Sequence, residues 1–298
     1  MNIYAEIASN KRKSIFLILI FFASIVAIGY FLSVYYEGGA GITAIAVVIA
    51  TVMSLVSYYQ GDKIALAVAG ARPVSSTDNP YVYRLVENLC ITAGIPMPKV
   101  YLIPDPALNA FATGRDPKHA SIALTTGIVE ALENEELEGV IAHELSHVKN
   151  YDIRLATVVI ICVGIVALIA DITTRSLFWG RGRRGSGGRG NATAILALIG
   201  IILAIFAPIF ARLIQFAVSR KREFLADASG ALLTRYPEGL ARALEKIAAN
   251  ATPLQRVNHA TAHLYLANPF GSRAVRGLGK LFSTHPPIEE RVRRLRQH

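Results

Sequence analysis

The chain has 298 residues, of which 53% are hydrophobic and only 17% are charged. Soluble domains usually carry about 25% charged residues, so the composition argues against an ordinary soluble enzyme and predicts contact with lipid. The net charge of +10 fits an anionic membrane surface better than nucleic acid, because basic residues flank long hydrophobic runs. Two cysteines, Cys90 and Cys162, are too few for a disulfide framework, and we expect both to be reduced.

Two hydrophobic runs without a charged residue lie near the start of the chain, at residues 14–36 and 38–61. A single glutamate separates them. Each run is long enough to cross a bilayer, so residues 1–61 are predicted to form a transmembrane hairpin. The first run is too long for the apolar region of a signal peptide and is soon followed by the second. Because a basic cluster at residues 11–13 precedes the first run, the N-terminus and the chain after residue 61 are expected in the cytoplasm.

Residues 62–153 are predicted to form the first, water-facing part of a catalytic domain. A helix is expected over residues 79–93, and short strands bounded by Pro, Asp or Gly are expected over 100–103, 110–113 and 121–124. Asn134 predicts the start of a second helix, because it can cap that helix and two following glutamates favour its first turn. Helices combined with a small sheet indicate an α+β fold.

Residues 154–218 contain a second hydrophobic hairpin, with runs at 155–170 and 192–211. The loop 174–191 between them carries five arginines and no acid, which would put positive charge outside the cytoplasm if both runs crossed fully. A full crossing and a hairpin that only dips into the bilayer both stay open, and about four membrane helices are expected in total. Residues 219–298 then form the second part of the catalytic domain, on the same side as the first.

The sequence His-Glu-Leu-Ser-His at residues 143–147 carries the chemistry. On a helix, His143 and His147 lie on one face, where two imidazoles can bind one Zn²⁺. Glu144 can then act as the general base that activates the attacking water. In a chain with seven histidines the motif is expected about 0.01 times by chance, so an ordinary pair of surface histidines is a poor explanation.

A catalytic zinc ion usually has three protein ligands and one open position, so a third ligand is needed. Glu223 is the candidate, and Asp227, on the same helical face, can hold a ligand histidine through its other ring nitrogen. The spacing alone equally allows both acids to pair with neighbouring arginines at a helix surface. His259 and His263 also lie four residues apart, but no glutamate follows the first, so we interpret them as a surface or supporting element.

These motifs together resemble the HtpX-type membrane zinc metallopeptidases, which share a catalytic domain with the CAAX prenyl endopeptidase. The resemblance extends over nearly the whole chain. It is carried by the early hydrophobic hairpin, Asn109-Ala-Phe-Ala-Thr-Gly114, the 143–147 motif with Asp152 after it, Glu223 with Asp227, and His285-Pro-Pro with Arg291. It implies a zincin-like, mostly helical catalytic domain of the gluzincin type, with one zinc ion per chain held by His143, His147 and Glu223.

The resemblance also implies a substrate site. The strand at 109–114 would be an exposed sheet edge that pairs with the backbone of an extended peptide through Asn109, Ala110 and Phe111. His285 and Arg291 are candidates to hold the substrate carbonyl or the developing oxyanion. The open alternative is that they belong to a terminal helix whose arginines are only packed or solvated.

The predicted function is that of a membrane-bound zinc endopeptidase acting on polypeptides, with its site facing the cytoplasm in a multi-pass protein of the inner cell membrane. The resemblance implies quality control of misfolded or damaged membrane proteins, in contact with membrane lipid and without a nucleic-acid partner. Two alternatives stay open: an inactive, metal-free scaffold of the same fold, and a processing protease of narrow specificity. A transporter is disfavoured because the runs lack internal charges. Nothing in the sequence specifies an oligomeric state.

Overall fold

The protein is mostly helical, with one small mixed sheet, over the residues that its structure describes. The structure is a computed structural model, and it describes residues 3–35, 39–160, 162, 164, 220–250, 252–256, 261–269 and 286–297. Two long helices open the chain, α1 (Ile3–Tyr35) and α2 (Gly39–Ala69), and they pack against each other.

Helices α1 and α2 coincide with the first two hydrophobic runs. The segments Ala5–Phe31 and Ala40–Ala69 are long and apolar enough to cross a membrane, and less than a quarter of each one's most apolar stretch is buried within the protein. A Cβ atom on Gly29 would lie 2.1 Å from Cβ of Ala46, so glycine lets the two backbones approach closely. Helix α2 continues past residue 61, where the end of the hairpin was expected.

The remaining elements follow in chain order: β1 (Arg72–Pro73), α3 (Pro80–Ala93), β2 (Lys99–Ile103), β3 (Ala110–Gly114), β4 (Ala120–Thr125), α4 (Thr126–Ala131), α5 (Asn134–Lys149), α6 (residues 152–160), α7 (Arg220–Thr234), α8 (Pro237–Ala249) and α9 (Ile288–Leu295). Short 3-10 turns lie at Pro117–His119 and Ala262–Leu264. The run predicted at 155–170 is helical over 155–160, and most of its remainder lies outside the described residues. The predicted loop 174–191 and run 192–211 lie outside them entirely.

The sheet has the strand order β1-β2-β4-β3. Strands β2 and β4 are parallel, whereas β3 is antiparallel to β4 and β1 is antiparallel to β2. The three predicted strands correspond to β2, β3 and β4 within one residue at each end. Strand β1 was not predicted because it has only two residues, one of them a proline that cannot donate to a ladder.

The described residues from 70 onwards, including α6, are here called the catalytic body, because the predicted catalytic motif lies in them. Local capping defines its first helices. Asn79 accepts a hydrogen bond from the backbone of Val82, and Gly94 ends α3 at a φ of 67°, a left-handed conformation that glycine adopts without strain. Helix α5 starts at Asn134 as predicted. Its cap is the preceding Glu133, whose N–H donates to Glu136 Oε2 over 2.9 Å.

Helix α5 lies at the centre of the catalytic body, in contact with α3, α7, α8 and β3. Its apolar face, including Leu137, Val140 and Ile141, has no solvent exposure. A Cβ atom on Gly139 would lie 2.7 Å from the backbone nitrogen of Leu240, so α8 approaches α5 as closely as two backbones allow. This packing fixes α5 on three sides and leaves one face for the polar motif.

The sheet edge was predicted to be exposed, but other parts of the chain cover much of it. Strand β3 is the outermost strand, yet all five of its residues are buried. The N–H of Leu266 donates to the carbonyl of Ala110 over 3.0 Å, and the N–H of Gly114 donates to the Thr157 hydroxyl over 3.2 Å. The reason is that buried backbone groups need partners, and residues 261–269 together with α6 supply them.

Candidate metal centre

Helix α5 presents both histidines of its motif on one face. The Nε2 atoms of His143 and His147 lie 3.2 Å apart, and the two rings are nearly perpendicular. Glu144 is 3% exposed and lies beside them. These side chains face a cleft between α5, α6, α7, β3 and residues 261–269, because the other faces of α5 are packed in the core.

A carboxylate holds each histidine ring from behind. Asp227 Oδ1 lies 2.9 Å from Nδ1 of His143, and Asp152 Oδ2 lies 2.9 Å from Nδ1 of His147. A carboxylate next to Nδ1 favours the tautomer with its proton on that nitrogen, which leaves the Nε2 lone pair free. Both Nε2 lone pairs are therefore available to bind the same metal ion.

Helix α7 brings a third ligand to this point. The carboxylate of Glu223 lies 3.8 Å from Nε2 of His143 and 3.6 Å from Nε2 of His147. The approach of α7 depends on Gly230, where a Cβ atom would lie 3.0 Å from the backbone nitrogen of His143. A glycine at this contact lets α7 lie directly against α5, so that Glu223 and Asp227 reach the motif.

The spacing of these groups fits one metal ion. A tetrahedral ion with bonds of about 2.1 Å requires ligand atoms about 3.4 Å apart. The ligand atoms of His143, His147 and Glu223 all lie within 4.8 Å of one another, and their closest pairs are 3.2, 3.6 and 3.8 Å apart. Among the described residues, they are the one group of histidines, cysteines or acids that meets this condition.

The surrounding charges favour a cation between these ligands. Burial opposes protonation of His147, but its hydrogen bond with Asp152 and the charges of Glu223, Asp152 and Glu144 raise its pKa to about 9. Burial likewise opposes ionisation of Asp227, but the charge and hydrogen bonds of Arg291 and His143 lower its pKa to about 2. Several buried acids thus converge on two imidazoles, and a divalent ion would compensate their charge.

Glu144 combines burial with a hydrogen bond to the sheet. Burial raises the pKa of its carboxyl group, and the neighbouring Glu223 acts in the same direction. The charges of His143 and His147, and a hydrogen bond from the backbone of Ala112, oppose this rise. The carboxylate is therefore oriented next to the candidate metal site and is more basic than one in water, as a group that accepts and returns a proton must be.

Arg291 lies behind the ligands and has no solvent exposure. Its Nε and Nη2 donate to the two oxygens of Asp227 over 2.8 and 2.6 Å, and its Nη1 lies 3.9 Å from Glu223 Oε2. A substrate carbonyl could reach this guanidinium only after the site rearranged. Its contacts support positioning of Asp227, and a role in oxyanion binding stays a prediction. His285, its predicted companion, lies outside the described residues.

Sequence reasoning gave no role to Asp152, which the structure brings against His147. Helix α5 ends at Lys149, and Tyr151 then adopts a positive φ of 60°, which is uncommon for a side chain of this size. This turn precedes α6 and directs the side chain of Asp152 back toward α5. The available signal was an acid five residues after the second motif histidine, which a purely helical projection would place on another face.

The predicted substrate residues contact residues 261–269 of the same chain. The side chain of Asn109 donates to the carbonyl of Ala267 over 3.0 Å, and the ring of Phe111 packs edge-on against Tyr265. His263 lines the cleft, and its Nε2 lies 3.2 Å from the carbonyl of Ala156, but it does not join the ligand group. His259 lies outside the described residues.

Comparisons with known proteins agree with this geometry. Residues 76–298 match peptidase family M48. A protease HtpX homolog of Dictyoglomus turgidum is 46% identical over 293 residues, which cover 98% of this chain and 94% of that protein. One from Tropheryma whipplei is 47% identical over 294 residues, which cover 99% of this chain and 98% of that protein.

A solved structure shares the fold. The crystal structure of S. mikatae Ste24p superimposes with a TM-score of 0.50 at 19% identity, over 98% of this chain and 67% of that one. The matched family, the relatives that span the full chain and the two candidate membrane helices lead to one assignment. The chain belongs to peptidase family M48 and is a membrane metallopeptidase related to the HtpX proteases.

Proposed function

We propose that this protein is a zinc-dependent endopeptidase in which His143, His147 and Glu223 hold the zinc ion and Glu144 is the general base. The observation that carries the proposal is the convergence of three ligand atoms within 4.8 Å of one another, beside a buried glutamate. Two imidazoles and one carboxylate are a donor set of catalytic zinc sites, and they leave a position open for chemistry.

Each residue around the proposed zinc ion has a separate role in the reaction. When bound, the zinc ion would polarise the scissile carbonyl and make hydroxide available near neutral pH. Glu144 takes a proton from the attacking water and passes it to the leaving amine. Asp227 and Asp152 keep the two ligand histidines in the required tautomer. Arg291 holds Asp227 in place from behind.

The substrate in this proposal is an extended polypeptide that lies along β3 and contacts Asn109, Ala110 and Phe111. Residues 261–269 occupy part of this edge, since Leu266 pairs with Ala110 over 3.0 Å. We therefore expect a substrate to replace these contacts as it enters. His285 is the residue proposed to contact the carbonyl that is attacked, and Arg291 would join it only after the site rearranges.

We further propose a multi-pass protein with a zincin-like domain in two parts, 62–153 and 219–298, facing the cytoplasm. The runs at 155–170 and 192–211 would complete four membrane helices with the hairpin 1–61. Support comes from the basic cluster before the first span. It also comes from the packing of α1, a candidate membrane span, against α6, which carries Asp152 beside the candidate metal site. Misfolded or damaged membrane proteins are the substrates proposed for a site in that position.

Casein cleavage by the detergent-purified protein tests this function. Metal is first stripped with a chelator, and activity is measured with and without added zinc, beside Glu144→Gln as the matched variant. We expect zinc to restore cleavage in the unmodified protein and to restore none in the variant. Full activity of Glu144→Gln would refute the assigned base.

Two other outcomes point to the alternatives. Absence of cleavage with one zinc ion bound per chain would favour a processing protease of narrow specificity. Absence of both cleavage and zinc would favour an inactive scaffold of the same fold. The assay therefore separates all three functions.

A further inference from the structure

Asn10 is a polar residue with no solvent exposure on the first membrane helix. It lies in α1 directly before the basic cluster 11–13, where the helix meets the catalytic body. Burying an amide without partners is unfavourable, so a fully buried asparagine must be matched by hydrogen bonds. The identity of its partners indicates what this residue does.

Every hydrogen bond of the Asn10 side chain reaches residues next to the candidate metal site. Its Nδ2 donates to the carbonyl of Asn150 over 3.0 Å and to Asp152 Oδ1 over 2.6 Å. Its Oδ1 accepts a hydrogen bond from Arg222 Nη1 over 3.1 Å. Arg222 directly precedes the ligand Glu223 in α7. One amide therefore connects Asp152, which supports His147, with the residue next to Glu223.

The two oxygens of Asp152 face different partners. Oδ1 contacts Asn10, and Oδ2 lies 2.9 Å from Nδ1 of His147. Arg222 Nε adds a longer contact with Oδ1, at 3.6 Å. The amide of Asn10 therefore fixes the rotation of the carboxylate that sets the orientation and tautomer of His147. We propose that Asn10 is a positioning residue for the metal ligand His147, acting from the membrane helix through Asp152.

Attachment of α1 to the catalytic body does not by itself require an amide here. Leu17 and Phe21 of α1 already pack against Leu155, Val158 and Val159 of α6, and this apolar contact can hold the helix. A leucine at position 10 would have the same number of side-chain heavy atoms and the same branching as asparagine, but no hydrogen-bonding group. What only the amide supplies is a donor to Asp152 and an acceptor for Arg222.

The inference rests on the proposed zinc site, and zinc affinity of the full-length protein in detergent tests it. The zinc dissociation constant is measured by competition with a chromophoric chelator for the unmodified protein, Asn10→Leu, Asn10→Ser and Ser14→Ala. Ser14 is the matched control, because it is equally buried in α1 but bonds only to the backbone of Asn10. Loss of the direct partner of a metal ligand, here Asp152, typically weakens metal binding by about 10- to 100-fold, and Asn10 acts one step further out, so its loss should have an effect at the lower end of that range.

We expect Asn10→Leu to weaken zinc binding about tenfold, Asn10→Ser to weaken it less, and Ser14→Ala to leave it unchanged. The visible spectrum of the cobalt-loaded protein should shift in the Asn10 variants alone. If Asn10→Leu does not fold, Asn10→Ser decides. Unchanged zinc affinity and an unchanged cobalt spectrum in the folded Asn10 variants would overturn the proposal. Failure of the unmodified protein to bind zinc would instead refute the proposed function itself.

Discussion

At the scale of single residues, the candidate site consists of ligands that each depend on a buried partner. His143 depends on Asp227, His147 depends on Asp152, and Asp227 is in turn held by two hydrogen bonds from Arg291. Arg291 has no solvent exposure, so its charge is compensated inside the protein. Breaking a buried pair leaves one charge uncompensated, which costs far more than the loss of a pair at the surface.

Asp227→Asn should therefore destabilise the protein strongly. We expect the free energy of unfolding to fall by about 3–5 kcal/mol, because Arg291 keeps its charge while its partner loses one. Denaturant unfolding followed by fluorescence measures this change. Glu290→Gln is the matched control, since it breaks the exposed pair with Arg294 in α9 and should cost less than about 0.5 kcal/mol.

The difference in the free energy of unfolding between the unmodified protein and Asp227→Asn should also depend on pH. The pKa of Asp227 is lowered from 3.8 to about 2 in the folded protein, so the folded state favours its ionised form. Its contribution is then complete above about pH 4 and is lost as the pH falls through about 2. A stability difference that stayed constant from pH 5 to pH 2 would contradict the ion pair.

The residues of the motif could be predicted because their spacing is local. His143, Glu144 and His147 follow from a four-residue repeat on one helix, and Asp227 is placed relative to Glu223 in the same way. Asp152 could not be placed, because its direction depends on the left-handed conformation of Tyr151. The burial of Arg291 could not be predicted either, because it depends on contact between α9 and α7, far apart in sequence.

At the scale of elements, the site is the contact between α5 and α7. The helices approach closely at Gly230, whose missing side chain leaves room for the backbone of His143. This contact sets the distance between Glu223 on one helix and the two histidines on the other. Side-chain volume at position 230 should therefore control the ligand geometry directly.

Gly230→Val should separate the two helices and weaken metal binding. The added atoms would overlap the backbone of His143, which a Cβ alone would approach to 3.0 Å. Overpacking of this kind costs about 1–3 kcal/mol of stability. Zinc affinity and thermal unfolding measure both effects. Ala228→Val, on the exposed side of α7, should change stability by less than about 0.7 kcal/mol and leave zinc affinity unchanged.

A contrary result is equally specific. If Gly230→Val bound zinc as tightly as the unmodified protein, then close approach of α7 would not determine the ligand spacing. Glu223 would in that case reach the histidines through side-chain flexibility rather than through helix packing.

The elements themselves could be predicted better than their arrangement. Capping residues and Pro or Gly boundaries gave α3, α5 and three strands, because these signals act over a few residues. The strand order β1-β2-β4-β3 and the burial of β3 depend on partners distant in sequence. The cover over β3, residues 261–269, has no local pattern that marks it as such.

At the scale of the whole molecule, a membrane hairpin and a catalytic body share an apolar contact between α1 and α6. The catalytic body has its own core, which includes Cys90 of α3 at 2% exposure. Burial and the nearby Glu87 raise the pKa of the Cys90 thiol to about 12. Cys90 therefore reports whether the catalytic body is folded.

Cys90 should react with thiol reagents only after unfolding. At pH 8 a pKa of about 12 leaves about a thousandfold less thiolate than the ordinary value of 9.0, and burial blocks access further. We expect labelling of the Cys162→Ala protein at pH 8 to follow its unfolding curve. Above about pH 9 the thiol ionises in the unfolded chain but stays neutral in the folded protein. The free energy of unfolding should therefore fall as the pH rises further. Rapid labelling without denaturant would contradict the packed core.

The zinc content of purified variants tests the central claim most directly, that three side chains hold the metal and a fourth transfers the proton. Zinc per chain is measured by mass spectrometry after dialysis, for the unmodified protein, Glu144→Gln and Glu223→Ala. We predict one zinc ion per chain in the first two proteins, cleavage only in the first, and little zinc in Glu223→Ala. Full zinc content in Glu223→Ala, or loss of zinc in Glu144→Gln, would contradict the assignment of ligands and base.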